Sequence, residues 1–273
     1  MQKIPLVTIV IPVWNGERYL DACLTSVLRQ TEQNFEIVVV DDGSNDATWE
    51  KLLWWKKQDE RIHPYHQKNA GVSEARNTAV RHASGQYIRF VDVDDVLPED
   101  SLEKLTQNAL QHDSDLVLAA YTEVLGNFRT VRDLGKCEDV IEYREFLRRL
   151  ERLSNSFYYG VLWNKLFRRD IIQTHDLRFT SGLHWGEDFV FVMQYLEFAN
   201  RMSYITSPVY DYFRNPRGAV MRQAVNCFRH PIVSIQARLT VYRSYEHLYR
   251  ARGLYEEYRR VLWHYLFRFT LRN

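Results

Sequence analysis

Three carboxylates fall within four positions at "FVDVDD", where Asp92, Asp94 and Asp95 follow the apolar run "YIRFV". Like charges this close repel, so something must offset the cost or one of the three must hold a proton. Solvent and a helix N-terminus are one offset; a divalent cation is another. A second pair, Asp41 and Asp42, ends the apolar run of "FEIVVVDDGS". An anionic ligand held by these acids needs a cation between them, and oxygen ligands with phosphates are the habitual company of Mg²⁺ and Mn²⁺. In that chemistry the Asp92–Asp94 pair places one carboxylate on the metal and the other on a ribose hydroxyl. Asp42 accepts from a base N–H, and Arg76 of "NAGVSEAR" pairs with the nucleotide. Together they suggest a metal-bridged nucleotide diphosphate. Plainer roles stand beside these. Asp41 and Asp42 before Gly43-Ser44 also suit a turn and a helix cap. Asp95 suits a loop hydrogen bond, and Arg76 suits an ion pair with Glu74 or a neighbour.

Such residues act together only if the chain gathers them. "LVTIVIPV" is a continuous β-branched run, as expected of a strand buried on both faces. "GERYLDACLTSVLRQ" spaces Leu20, Cys23, Leu24, Val27 and Leu28 as a helix does. A second strand ends at "DDGS", and a helix follows with Ser44 or Asn45 as its cap. A short strand "RIHPYHQ", a helix "GVSEARNTAVRHAS", the strand before "DVDD", a helix after Pro98 and a strand "DLVLAAYTEV" complete the alternation. This order predicts an α/β fold: a mostly parallel sheet flanked by helices, with ligands beyond the carboxyl ends of its strands. The acids lie at those ends. After residue 121 the order breaks into a hairpin, helices and short strands, and from 226 onward the chain reads as Tyr- and Arg-rich helices.

The 273 residues are 45% hydrophobic and 26% charged, with a net charge of +1 that gives no general nucleic-acid signature. Residues 214–273 hold 12 Arg, no Lys and 3 Glu, or +9, which leaves −8 on the first 213. Such asymmetry points to different partners for the two parts. Cys23, Cys137 and Cys227 are too sparse for a disulfide or metal framework and suit a reducing compartment. No stretch reads as a signal peptide or a membrane span. The expectation is a cytoplasmic protein, with peripheral contact at the inner face of the membrane as an alternative. A dinucleotide-dependent oxidoreductase would need G-x-G-x-x-G after the first strand, and "PVWNGERY" has a single Gly. The same segment lacks the Gly-rich phosphate loop of a sugar nucleotidyltransferase.

The motifs "VTIVIPVWNGERYLDACLTSVLRQT", "FEIVVVDDGSNDAT", "NAGVSEARNTA" and "GQYIRFVDVDD" resemble, in order, the nucleotide-binding half of a family 2 inverting glycosyltransferase with a GT-A fold. The likeness is nearly continuous over residues 4–105 and continues more weakly through "WNKLFRRDII", "GEDFVF" and "VYDYFRN" to about residue 222. It implies a GT-A domain over 1–222, with a nucleotide-sugar half (1–120) and an acceptor half (121–222). A basic, aromatic helical segment (223–273) follows. It implies that Asp42 binds the base with Asp41 nearby, and that the backbone of Pro12, Val13 and Trp14 lines the base pocket. Asp92 of the Asp92-Val93-Asp94 motif would hold the ribose, and Asp94 would ligate Mn²⁺ or Mg²⁺ with Asp92 beside it. Arg214 would approach the diphosphate, and Asp188 of "GED" would be the general base, with Glu187 as the second candidate. The donor implied is a UDP-sugar and the acceptor a saccharide, lipid-linked or protein-linked glycan. One displacement would invert the anomeric centre. A non-catalytic nucleotide-sugar-binding partner is the alternative, opposed by the intact "DVD" and "GED".

Further residues have two readings each. Trp163 and Lys165 of "WNKLF" either touch a sugar or, for Trp163, fill the core. His184 and Trp185 could border the acceptor site. In the C-terminal segment Leu239, Tyr242, Tyr245 and Tyr249 sit near helical spacing, as do Leu254, Tyr258 and Leu262. Packing on the catalytic domain comes first, then homo-oligomer formation, then attachment to anionic lipid.

Overall fold

The computed structural model describes residues 4–133, 140–152, 157–183, 185–213, 231–260 and 262. Arg214, His184, Cys137 and Cys227 lie outside them. Among the described residues nine strands form one sheet, in the order β3-β2-β1-β4-β8-β5-β9-β7, with β6 paired to β5.

The N-terminal half alternates as its apolar runs require. β1 (Val7–Val13) and β2 (Phe35–Asp41) are buried at every position, so their β-branched side chains face helices on both sides. β1 lies parallel to β2, with Val13 opposite Asp41, and parallel to β4 (Tyr87–Phe90). β3 (Ile62–His66) extends the parallel set beyond β2. α1 (Glu17–Leu28) buries Leu20, Cys23, Leu24 and Val27, the face its spacing predicts. α2 (Thr48–Gln58) starts later than expected, with Ala47 rather than Ser44 or Asn45 at its N-cap, and Asp46 just before it accepts from the Thr48 amide at 3.1 Å. α3 (Val72–His82) and α4 (Ser101–His112) complete this half.

The second half is woven into the same sheet. β5 (Leu116–Leu125) forms a hairpin with β6 (Phe128–Arg132). Past β7 (Val140–Ile141), α5 (Tyr143–Arg152) and α6 (Phe157–Gly160), β8 (Lys165–Arg168) enters between β4 and β5, antiparallel to both. α7 (Arg169–Thr174) and α8 (Glu187–Leu196) follow, and β9 (Met202–Phe213) runs parallel to β5 with a register shift after Ala119. Six strands therefore point one way, and β6, β7 and β8 oppose them. Their common carboxyl edge is where the acids collect.

The C-terminal helix α9 (Pro231–Ala251) packs against α8. Its buried face is Ala237, Val241, Tyr245, Leu248 and Tyr249, rotated from the expected stripe, because Leu239 and Tyr242 stay half-buried. Val241, Tyr245, Leu248, Tyr249, Leu254, Tyr258 and Leu262 join the same hydrophobic core as the strands. Among the described residues, no helix is long and apolar enough to cross a membrane.

Candidate active site

The strand order reverses between β1 and β4, because β2 and β3 extend from one side of β1 and β4 lies on the other. Ligands of open α/β sheets bind in the crevice outside such a point. β1 brings Pro12, Val13 and Trp14 to it. Pro12 and Val13 are buried, the Val13 carbonyl accepts from the Asp42 amide at 2.8 Å, and Trp14 is 57% exposed. Asn15 turns the chain at φ 50°, its amide donating to Ser44 Oγ at 2.8 Å and its Oδ1 accepting from the Asn45 amide at 2.8 Å. These bonds lace the loop after β1 to the loop after β2. Val93 closes the other side, 3.4 Å from where a Cβ on Gly16 would stand.

Asp41 and Asp42 are both committed to this framework. The fully buried Asp41 carboxylate accepts from the Ser44 amide at 3.0 Å and hydroxyl at 2.5 Å, and meets His66 Nδ1 at 2.9 Å. Asp42 accepts from Gln67 Nε2 at 2.7 Å, the Ala70 amide at 2.9 Å and the Gly71 amide at 2.8 Å. The turn reading thus describes Asp41, while Asp42 pins the loop ahead of α3. Three bonds leave Asp42 about one of its roughly four acceptor sites.

Arg76 turns away from the expected pairing with Glu74 and reaches partners outside its own helix. Its buried guanidinium donates from Nη1 to Asp188 Oδ1 at 2.7 Å and from Nη2 to Asp92 Oδ1 at 3.2 Å, with Glu187 Oε1 3.6 Å from Nη1. One cation joins the "DVD" loop to the "GED" turn across the crevice. Burial opposes the charge on Arg76, but Asp188, Asp92 and Glu187 outweigh it and raise its pKa. Burial pushes the Asp188 carboxyl up to about 7; Arg76 and Lys165 pull it down, and Glu187 and Asp92 add to the rise. The Asp188 side chain retains 25% of its exposure, so it can still be reached.

Two neighbours hold this arrangement. Asn77 grips the backbone of Phe179, donating to its carbonyl at 3.0 Å and accepting from its amide at 2.8 Å. Ser181 donates to Glu74 of the same helix. Thus α3 clamps the segment that leads to "GED". Sequence reasoning missed this role of Asn77; a polar residue on the apolar face of a helix was the available signal. Gly186 then turns the chain at φ 86° into α8, and a Cβ there would lie 2.6 Å from Val241 Cγ2 of α9.

Lys165 is fully buried, donating to the carbonyls of Tyr158 at 2.9 Å and Val161 at 2.6 Å and to Asn164 Oδ1 at 2.8 Å. Burial lowers its pKa well below the usual value, against the pull of Asp188. Trp163 belongs to the core, stacked on Tyr210 at 4.4 Å and on Tyr212 at 5.5 Å. Trp185 packs against that core, half-buried, beside Phe189.

The crowding at "DVDD" is relieved in three ways. Asp92 pairs with Arg76, Asp94 is exposed, and Asp95 accepts from the Tyr210 hydroxyl. Burial first, then the charges of Asp92 and Asp94, push Asp95 up to about 8, so it holds a proton at neutral pH. No three His, Cys, Asp or Glu side chains among the described residues form a metal site by themselves.

Residues 8–175 match the sequence model described as glycosyl transferase family 2. EpsJ of Bacillus subtilis strain 168, an uncharacterized glycosyltransferase, is 33% identical over 214 residues, covering 78% of this chain. The chain spans 62% of EpsJ's length, less than two thirds. The fold is similar to that of Staphylococcus aureus TarS 1–349 in complex with UDP-GlcNAc, with a TM-score of 0.71 and 22% identity over 92% of this chain and 70% of that one. It is also similar to the mannosyltransferase PcManGT of Pyrobaculum calidifontis in complex with GDP-Man and Mn²⁺, with a TM-score of 0.55 and 17% identity over 94% and 76% of the chains. Those two structural likenesses bear on the fold, a GT-A sheet flanked by helices. The sequence match runs through both strand ends that carry the acids and covers more than half of the residues; by it, the chain belongs to glycosyl transferase family 2.

Proposed function

We propose that the chain transfers a hexose from a UDP-sugar to a hydroxyl of a glycan acceptor, with Asp188 as the general base and inversion at the anomeric carbon. The observation that carries this reading is the Asp188 carboxyl, pushed up to about 7 and facing the crevice beside Arg76. A base works best when its pKa lies near the operating pH. Asp188 removes the acceptor hydroxyl proton as that oxygen attacks; Glu187 is the lesser candidate. Arg76 keeps Asp188 oriented and ties it to Asp92, so base and donor loop hold one spacing. Trp14 offers a stacking face at the switch point, the backbone of residues 12–14 lines the base pocket, and Asp42 and Asp41 brace its floor. Asp92 with Val93 meets the ribose. Arg214, outside the described residues, is assigned to the diphosphate from the sequence alone.

Asp92 and the exposed Asp94 fit Mn²⁺ or Mg²⁺. These ions are commonly held by one or two carboxylates plus substrate phosphates, so a third protein ligand is not required. When bound, the metal would neutralise charge building on the leaving diphosphate. TarS with UDP-GlcNAc and PcManGT with GDP-Man and Mn²⁺ are the fold relatives that motivate both assignments.

Calorimetric titration of UDP with Mn²⁺, and again with EDTA, tests the donor site; metal-dependent binding is expected. Asp188→Asn should bind UDP as the parent does and lose sugar transfer by about 10²–10⁴-fold. Since the base must be deprotonated, transfer should rise with pH through about 7 and then level off. Normal transfer by Asp188→Asn would remove the base assignment. Absence of UDP, GDP and CDP binding in both conditions would favour a degenerate binding module.

A further inference from the structure

We infer that a second cavity, between the 175–180 segment, α8 and α9, is a neutral-saccharide subsite for the glycan acceptor. This rests on the transferase reading above. The cavity measures about 510 Å³, within the range typical of ligand pockets. Its charged walls are two preformed pairs, beside the neutral polar side chains of Thr180, Gln194 and Ser244. Asp176 accepts from Arg178 at 2.5 Å, and Glu197 meets His247 Nδ1 at 2.7 Å. Two carboxylates against one arginine disfavour a phosphate or a polyanion. Both acids already have a basic partner, so a cation gains little. A neutral polyol suits the pairs better, because each carboxylate keeps acceptor sites for hydroxyls and Arg178 keeps donors. His175 stacks on Phe198 at 3.6 Å and 10°, which adds the aromatic surface that ligand pockets combine with a few polar groups.

The position points to the acceptor. Gln194 lines the cavity and lies seven residues beyond Glu187, on the same stripe of α8. The candidate base Asp188 lies six residues before it, roughly 9 Å along the helix and about 120° round it. Phe179 separates the two sites: its ring lies 5.5 Å from the Arg76 guanidinium, and it also lines the cavity. Apart from His175, the lining residues fall outside the 8–175 stretch that matches the family, and α9 supplies Ser244 and His247. The cavity is therefore built almost wholly outside the stretch that the family model matches.

Saturation-transfer NMR on the full chain, with UDP and Mn²⁺ present, tests the subsite. The probes are free glucose, galactose, N-acetylglucosamine and N-acetylgalactosamine. At least one of the four should receive saturation, and Asp188→Asn should retain that signal. Ser244→Trp, which fills the cavity from α9, should abolish it. His247→Ala, at a ring 71% exposed, should keep the fold and weaken the same sugar threefold or more, which covers a tryptophan variant that fails to fold. No signal from any of the four sugars, or a signal that neither variant changes, overturns the subsite. UDP binding in the same samples separates the two readings. Bound UDP without a sugar signal removes the subsite and leaves the transferase; a cavity-dependent sugar signal without UDP binding removes the transferase and the acceptor role with it, leaving a saccharide-binding site.

Discussion

Arg76 has a side chain 6% exposed and two carboxylates at its ends, so neither side of the crevice can lose it cheaply. Removing one partner of a buried ion pair costs about 3–5 kcal/mol. Arg76→Ala is expected to lower stability by that order in urea titrations. It should also move the pH–rate profile to higher pH, because Asp188 loses the cation that pulls its pKa down. Arg76→Lys keeps the charge but not the planar fork, and should recover only part of either loss. Asp95 gives a prediction of the opposite kind. Unfolded, its carboxyl titrates near ~3.9; folded, it is pushed up to about 8. Between those values the folded chain keeps a proton that the unfolded chain has released. Its contribution therefore lowers stability by about 1.4 kcal/mol per pH unit as pH rises, and flattens above 8. Asp95→Asn preserves an acceptor for Tyr210 and removes that slope. In EDTA, melting curves of variant and parent should converge in acid and separate toward pH 8, with the variant the more stable. That the three acids of "DVDD" need an offset, whether a cation, solvent or a retained proton, was legible in sequence; that Asp95 is the one to hold a proton was not. That Arg76 answers Asp188 was not, because 112 residues separate them and nothing local marks the pairing.

Among the elements, the turn into α8 is the most exacting. Gly186 sits at φ 86°, and the space beside it is filled by Val241. Gly186→Ala combines strain in the left-handed region with overpacking, each worth about 1–3 kcal/mol. It should lower thermal stability and reduce transfer, since Glu187 and Asp188 begin the helix that the turn aims. Val241→Ala relieves the clash but not the strain, so the double variant should regain part of the loss. A double-mutant cycle reads that coupling directly. Strands β1, β2 and β4 and helix α1 were legible because local periodicity and burial agree there. The buried face of α9 was not, because aromatic residues occupy several of its faces and only contact with α8 selects Val241, Tyr245 and Leu248 over Leu239 and Tyr242. Among the site residues, Asp188 was found through the family likeness, since an acid in a first helical turn is ordinary.

At the scale of the whole molecule, the described residues of the C-terminal segment (231–260 and 262) pack into the shared core, as the first of the three roles expected for the segment requires. Burying one large apolar side chain contributes about 1.5–3 kcal/mol, and a domain's total stability is about 5–15 kcal/mol. Deleting residues 231–273 uncovers α8 and removes Tyr245, Leu248 and Tyr249 from the core. The truncated chain should be insoluble or melt at least 10 °C lower; a soluble product with the parent's melting curve would make the segment an appendage instead. The same interleaving governs how the protein is made. β4 ends at Phe90, yet β8, which pairs it, begins at Lys165. At roughly 5–20 residues per second, the ribosome takes roughly 4–15 s to supply that strand. Until it arrives, β4 presents a bare edge with the parallel strands β1, β2 and β3 already beside it. The growing chain thus passes through an interval of exposure to misjoining with its neighbours on a polysome, and the last strand to reach the middle of the sheet ends it.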